Sequence, residues 1–373
     1  MKYIKWSAIF LILLLVIASC STDGDTPQES SDNFDRGAML VNWADNIIIP
    51  AYSSFDSKAS ALKSKTAEFT ANPTESNLQT LRSAWKDAYV SFQSVSMFEI
   101  GKAEELRFRN RLNVYPANVA QIESFIATGD YDFSLPSTID KQGFPALDYL
   151  LNGLAETDAE ILAFYTSNSN AEGYKNYLLK LSETISSLSN QVLSSWNNGY
   201  RDAFVANTSS SASGAVDKFT NDYIFYYEKS LRAGKVGIPA GIFSAGTLPE
   251  NVEAFYKKDI SKELLLEAIT ASQNFFNGKS FNGDSNGESF RTYLDYLNTI
   301  RNGENLSALI NNQFDVAKSK ANELNPNFVQ QIATDNAKML VTYDELQRLV
   351  ILLKVDMVQA FNVSIDYVDS DGD

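Results

Sequence analysis

Three carboxylates, Glu99, Asp148 and Glu253, are candidate binding groups in this sequence. What they can do is bounded by what the chain lacks: it has no histidine and one cysteine, Cys20. Without imidazole there is no Ser-His-Asp or Cys-His nucleophilic site, and zinc sites that use imidazole are excluded. Acid–base work falls to Asp, Glu, Lys or Tyr. A metal site would be oxygen-only, suited to Ca²⁺, Mg²⁺ or Fe³⁺ rather than Zn²⁺. Each carboxylate is explained equally well as a cap, a surface charge or half of a structural pair. The Tyr223/Tyr226/Tyr227 cluster could offer phenolate oxygen to ferric iron, but tyrosines at helical spacing are ordinary core.

The stretch that positions Asp148 runs from Gly143 to Leu151. It reads as a loop entering a short helix. Pro145 suits the first turn, where its missing N–H costs nothing. Asp148 is then either a ligand for a hard cation or a charge that stabilises the helix N-terminus. The longest Gly/Pro-bearing stretch after the N-terminal segment, 234–249, reads as irregular. No strand precedes it and it lacks the Walker spacing, so its glycines do not make a phosphate loop.

Helical periodicity dominates the rest. A helix is expected from Ala38 to about Ala71, with Leu40, Trp43, Ile47 and Ile48 on one face and a kink or restart at Pro50. Thr74 caps the clearest helix, whose stripe is Leu78, Leu81, Trp85, Tyr89, Phe92 and Val95. Further helices are expected at 117–127, 157–166, 174–205, 216–232, 249–256, 261–276, 290–300, 306–323 and 335–361. No segment of weight has strand periodicity. The expected fold is all-α, two packed helical bundles spanning 37–207 and 208–373, with the Ser-rich 208–214 between them.

The formal net charge of −15 argues against nucleic acid and against docking on anionic lipid through protein charge. The N-terminus supplies a different route to a membrane. Lys2 and Lys5 precede a short apolar run ending in Ile17-Ala18-Ser19-Cys20, the pattern of a bacterial lipoprotein signal at 1–19. Cys20 would be the lipidated residue, followed by a flexible tether over 20–36. This places the protein in the cell envelope, anchored by lipid, with the outer membrane favoured and the membrane face open.

Several stretches, taken in order, resemble the imelysin family of bacterial envelope proteins. They are Arg82 to Tyr89 running on to Phe98-Glu99, then Asn113-Val114-Tyr115-Pro116, Gly143 to Leu151, Leu248 to Tyr256, and the ending Val363 to Tyr367 with Asp369 to Asp373. The resemblance implies two helical bundles with a candidate site near their interface. It also implies a relationship to an assigned metallopeptidase activity and to iron uptake. Gly143 to Leu151 stands where the family carries Gly-x-His-x-x-Glu. Here Pro145 replaces the His and Asp148 the Glu, so Gly143 and Pro145 keep the scaffold while the imidazole chemistry is lost.

These readings converge on a lipid-anchored envelope protein that is non-catalytic and binds a ligand or partner in iron or metal uptake. A hard cation, Fe³⁺ or Ca²⁺, would be held by Asp148, Glu99 and Glu253. Its partners would be the membrane, through Cys20, and envelope metal-uptake proteins. The alternatives are a metallopeptidase-like activity, disfavoured without histidine, and a purely structural or interaction role.

Overall fold

The computed structural model describes residues 33–301 and 303–367. Cys20, the signal segment, nearly all of the tether and the acidic end 369–373 lie outside the described residues. From Asp35 onward the chain forms one compact unit. The described residues are all-α apart from a two-residue antiparallel pairing, Ile300–Arg301 with Glu304–Asn305, and an isolated bridge between Lys279 and Asn286.

The described residues open with α1 (Arg36–Val41), pass through a wide π-turn (Asn42–Ile48) and continue as α2 (Ile49–Ala71). Pro50 sits in the first turn of α2. Pro50 has no N–H to offer the carbonyl four residues back, that of Asn46, and the N–H of Phe281 donates to that carbonyl at 2.8 Å. The break expected at Pro50 is thus a change of helical winding, closed by a distant loop.

Thr74 caps α3 (Glu75–Gln93), its hydroxyl accepting the N–H of Asn77 at 3.3 Å. The expected stripe is buried. Then come α4 (Lys102–Leu106), α5 (Phe108–Leu112), α6 (Val119–Thr128), α7 (Gly143–Asp148), α8 (Asp158–Thr166) and α9 (Ala171–Ser195). Helices α2, α3 and α9 pack together. Phe55, Phe92, Phe108 and Phe144 meet at their centre with ring centroids 5.5–6.3 Å apart. Each ring of this kind removes on the order of 150–250 Å² from water.

The helix expected over 174–205 breaks after Trp196. Asn198 and Gly199 leave helical geometry, Gly199 at φ +112°, and α10 (Arg201–Ala206) leaves in a new direction. The second half holds α11 (Ala215–Phe225), a π-wound stretch Tyr226–Gly237, α12 (Ile238–Ala240), α13 (Ser261–Phe276), α14 (Phe290–Tyr296), α15 (Leu306–Asn322), α16 (Phe328–Ile351) and α17 (Val358–Phe361). Helix α13 packs on both α3 and α15. Trp43, far upstream, lies among Phe219, Phe275 and Phe290 at 4.9–5.2 Å.

Two expectations are corrected. The stretch from Gly234 stays helical as far as Ala240. A side chain at Gly237 would come within 2.8 Å of the Phe243 and Tyr343 rings, so this glycine serves close packing rather than a loop. Conversely, 249–256 is not a continuous helix. It is one 3₁₀ turn, Pro249–Asn251, followed by turns in which Ala254 and Lys258 have positive φ. The N–H groups that a helix would use there go to Asp148.

Candidate functional site

Asp148 is the last residue of α7, not part of its first turn, so the dipole role expected for it at a helix N-terminus does not hold. The local geometry begins at Gly143. It has φ +75°, and a Cβ there would lie 2.2 Å from the carbonyl oxygen of Leu112, so only glycine lets α7 start against the end of α5. Phe144 follows, stacked on Tyr89 at 4.5 Å, with its carbonyl accepting the Trp85 indole N–H at 3.3 Å. Pro145 lies in the first turn of α7, as expected.

These contacts fix the Asp148 carboxylate, which is 1 % exposed. Oδ2 accepts the backbone N–H of Tyr256 at 2.8 Å. Oδ1 accepts the N–H of Lys257 at 2.9 Å and the Asn152 amide at 3.1 Å. Burial pushes its pKa up to about 7, against the pull of these donors. Every partner is a donor, so the surroundings are built for the carboxylate. Asp148 ties the first half of the chain to the turn region after Glu253. A cavity of 160 Å³ beside it is walled by Tyr115, Pro116, Pro145, Val252, Phe255 and Tyr256.

Glu253 is buried nearby in a different network. Its Oε1 accepts the Asn113 amide at 2.7 Å, and its Oε2 pairs with Lys235 Nζ. Lys235 also donates to the Gln93 side chain at 2.9 Å, and the Tyr89 hydroxyl donates to Asn113 at 2.6 Å. Burial lowers the Lys235 pKa while Glu253 opposes that shift. This network joins α3, the Asn113 loop, the π-wound stretch and the Glu253 turn.

Glu99 stands in a third setting. Its Oε2 accepts the backbone N–H of Arg109 at 2.8 Å, and its own N–H donates to Asp222 at 2.7 Å. Arg109 bonds Asp222 at 2.8 Å and the Ser96 carbonyl at 2.6 Å. Burial raises Glu99 to about 7, against the attraction of Arg109. Glu99 and Asp222 line a cavity of 640 Å³ whose walls come from α4, α5, α10, α11 and the tail at Asp366 and Tyr367.

The structure therefore does not gather Glu99, Asp148 and Glu253 into one coordination set. Among the described residues, no group of three or more His, Cys, Asp or Glu is placed to hold a metal ion. Tyr223, Tyr226 and Tyr227 are all buried, in keeping with core, and burial raises the pKa of each. Sequence reasoning passed over Arg109, Asp222, Lys235 and Tyr200. The only signal for Lys235 was its place among glycines at 234–241, and nothing local marks the other three.

The Imelysin family model, Peptidase_M75, matches residues 48–353. The chain belongs to the imelysin family. Among solved structures, an imelysin-like protein from Psychrobacter arcticum 273-4 superposes with a TM-score of 0.66 at 15% identity, over 89% of this chain and 97% of that one. A Parabacteroides distasonis ATCC 8503 protein, assigned as an iron-regulated protein A precursor, gives 0.65 at 17% identity over 87% and 95%. These likenesses establish the shared helical fold. No protein of curated function matches the chain. In this family member, the stretch from Gly143 to Leu151 is a structural junction in which both oxygens of Asp148 are engaged by protein donors.

Proposed function

We propose that this imelysin-family protein is a lipid-anchored cell-envelope protein that works by binding, without catalysis, and that its ligand or partner belongs to iron or metal handling. The observation that carries the non-catalytic reading is the motif region itself. Pro145 offers no ligand atom, and Asp148 spends its oxygens on Tyr256, Lys257 and Asn152. A catalytic metal needs several protein ligands and an open position for water. The link to iron is supported by the name assigned to the Parabacteroides neighbour. The anchor is supported by the sequence at Cys20, and no described helix is long and apolar enough to cross a membrane.

Elemental analysis of full-length protein purified without added metal tests the reading, together with melting in Fe³⁺ or Ca²⁺ and a peptide-cleavage assay. A metal-handling role is expected to show as bound metal or a saturable melting shift. Neither would remove the cation and leave an interaction role. Chelator-sensitive cleavage that Asp148→Ala abolishes would overturn the non-catalytic reading. Labelling with a fatty-acid analogue, lost in Cys20→Ser, tests the anchor.

A further inference from the structure

The 640 Å³ cavity bordered by Glu99 is not explained by the motif region and shares neither Asp148 nor Glu253 with it. Its shape is set by the break after Trp196. That turn carries Tyr200 across to Gly101, where a Cβ would meet the Tyr200 ring at 2.3 Å, so the ring lies flush on bare backbone. Opposite, Phe225 is 37% exposed although it is a large apolar ring. It packs edge-on to Tyr367 at 5.2 Å, and the Arg109 guanidinium lies 5.9 Å from its centre.

The polar groups are unbalanced. Glu99, Glu104, Asp222 and Asp366 line the cavity, against Arg109 and Lys218. Arg109 is committed to Asp222 and to the Ser96 carbonyl, and Lys218 is exposed. Glu99 has one oxygen engaged by the Arg109 N–H, while no donor among the described residues reaches the other, Oε1. A carboxylate held half-desolvated, with one free oxygen beside aromatic faces, is a site for a positive charge on an apolar body.

A bare metal ion does not suit this cavity, because among the described residues no three acidic side chains are placed to ligate one. An ammonium or guanidinium group does. It needs one carboxylate and ring faces, and the volume accommodates its carbon skeleton. We propose that this cavity binds an organic cation, with Glu99 Oε1 receiving the ammonium or guanidinium group and Phe225 and Tyr200 flanking its body. Such a ligand also offsets the burial that raises the Glu99 pKa. The inference goes beyond the metal-handling reading and stands or falls separately from it, since metal content reports on one and amine binding on the other.

The test is a thermal-shift and calorimetric titration of full-length protein in detergent at pH 7.5, using 2-phenylethylammonium and agmatine. The neutral isostere 2-phenylethanol and CaCl₂ are titrated in parallel. Expected are saturable binding of the amines, no response to the alcohol, and at least about tenfold weaker amine binding in Glu99→Gln, where a charged hydrogen bond is lost. Phe225→Leu, whose fold does not depend on Glu99, is expected to weaken both amines several-fold. No amine binding, equal binding of the alcohol, or unchanged affinity in both variants would overturn the proposal. Saturable Ca²⁺ binding that competes with the amines would replace the organic cation by an inorganic one.

Discussion

Arg109 of α5 and Asp222 of α11 form an ion pair at 2.8 Å, with side chains only 9% and 14% exposed. The pair joins the two halves of the chain beneath the Glu99 cavity. Removing one member of such a pair leaves a buried charge without its partner. Asp222→Ala is therefore expected to lower unfolding free energy by about 3–5 kcal/mol. Arg109→Met/Asp222→Leu should recover much of the loss, because no charge then stays buried alone. Urea unfolding of the three proteins decides it, and a single-variant loss below about 1 kcal/mol, the range of exposed pairs, would show the pair to be solvated.

Gly143 carries a second, sharper expectation. Its φ of +75° and the 2.2 Å approach of a built Cβ to the Leu112 carbonyl leave no room for a side chain. The neighbour is backbone, so it cannot swing aside. Gly143→Ala should destabilise by at least ~2 kcal/mol, combining backbone strain with displacement of α7. Gly129→Ala is the control: it has φ +69° but nothing within 4 Å of its built Cβ. It should cost less, and equal losses would mean that close packing at Gly143 contributes nothing.

Stability should also depend on pH through Glu99. Its folded pKa, about 7, stands above the ordinary 4.5, chiefly because burial disfavours the charge. The folded state therefore holds the proton more tightly than the unfolded chain. This contribution is fully present below about pH 4.5 and is lost as pH rises toward 7. Relative to Glu99→Gln, the wild type should lose stability across that window. Melting temperatures of both proteins from pH 4 to 8 measure the difference, and a difference constant with pH, or one growing in the wild type's favour, would contradict the assigned cause.

Much of the fold was legible because helices announce themselves by period. The α3 stripe from Leu78 to Phe92 and the Thr74 cap follow from residue spacing alone, as does α13 over 261–276. What the sequence hid is tertiary. The segment after Leu248 has helix-compatible residues, yet it forms turns because Asp148, more than a hundred positions upstream, captures the N–H groups of Tyr256 and Lys257. The glycines of 234–241 suggested a loop, but Gly237 is there to admit the Phe243 and Tyr343 rings. At the site, sequence shows residue type and not neighbours, so nothing in it separates the three acidic candidates from a single set. Each proved to have its own partner: Arg109 for Glu99, the turn for Asp148, Lys235 for Glu253.

The same separation predicts the outcome of introducing an imidazole and a longer carboxylate at this junction. Pro145→His/Asp148→Glu would write Gly-x-His-x-x-Glu into the sequence from Gly143 to position 148. The longer Glu side chain cannot keep its oxygens where Asp148 meets Tyr256 and Lys257 at 2.8 and 2.9 Å. Each buried N–H left without an acceptor costs about 1–3 kcal/mol. One imidazole and one carboxylate also fall short of the three protein ligands of a catalytic zinc, and no acidic cluster among the described residues stands ready to supply the rest. The double variant should therefore melt at lower temperature than the parent and carry only background zinc after dialysis against it. Elemental analysis and a melt read both. Stoichiometric zinc with retained stability would mean that the junction at Asp148 is a dormant metal site, and the non-catalytic reading would then have to give way.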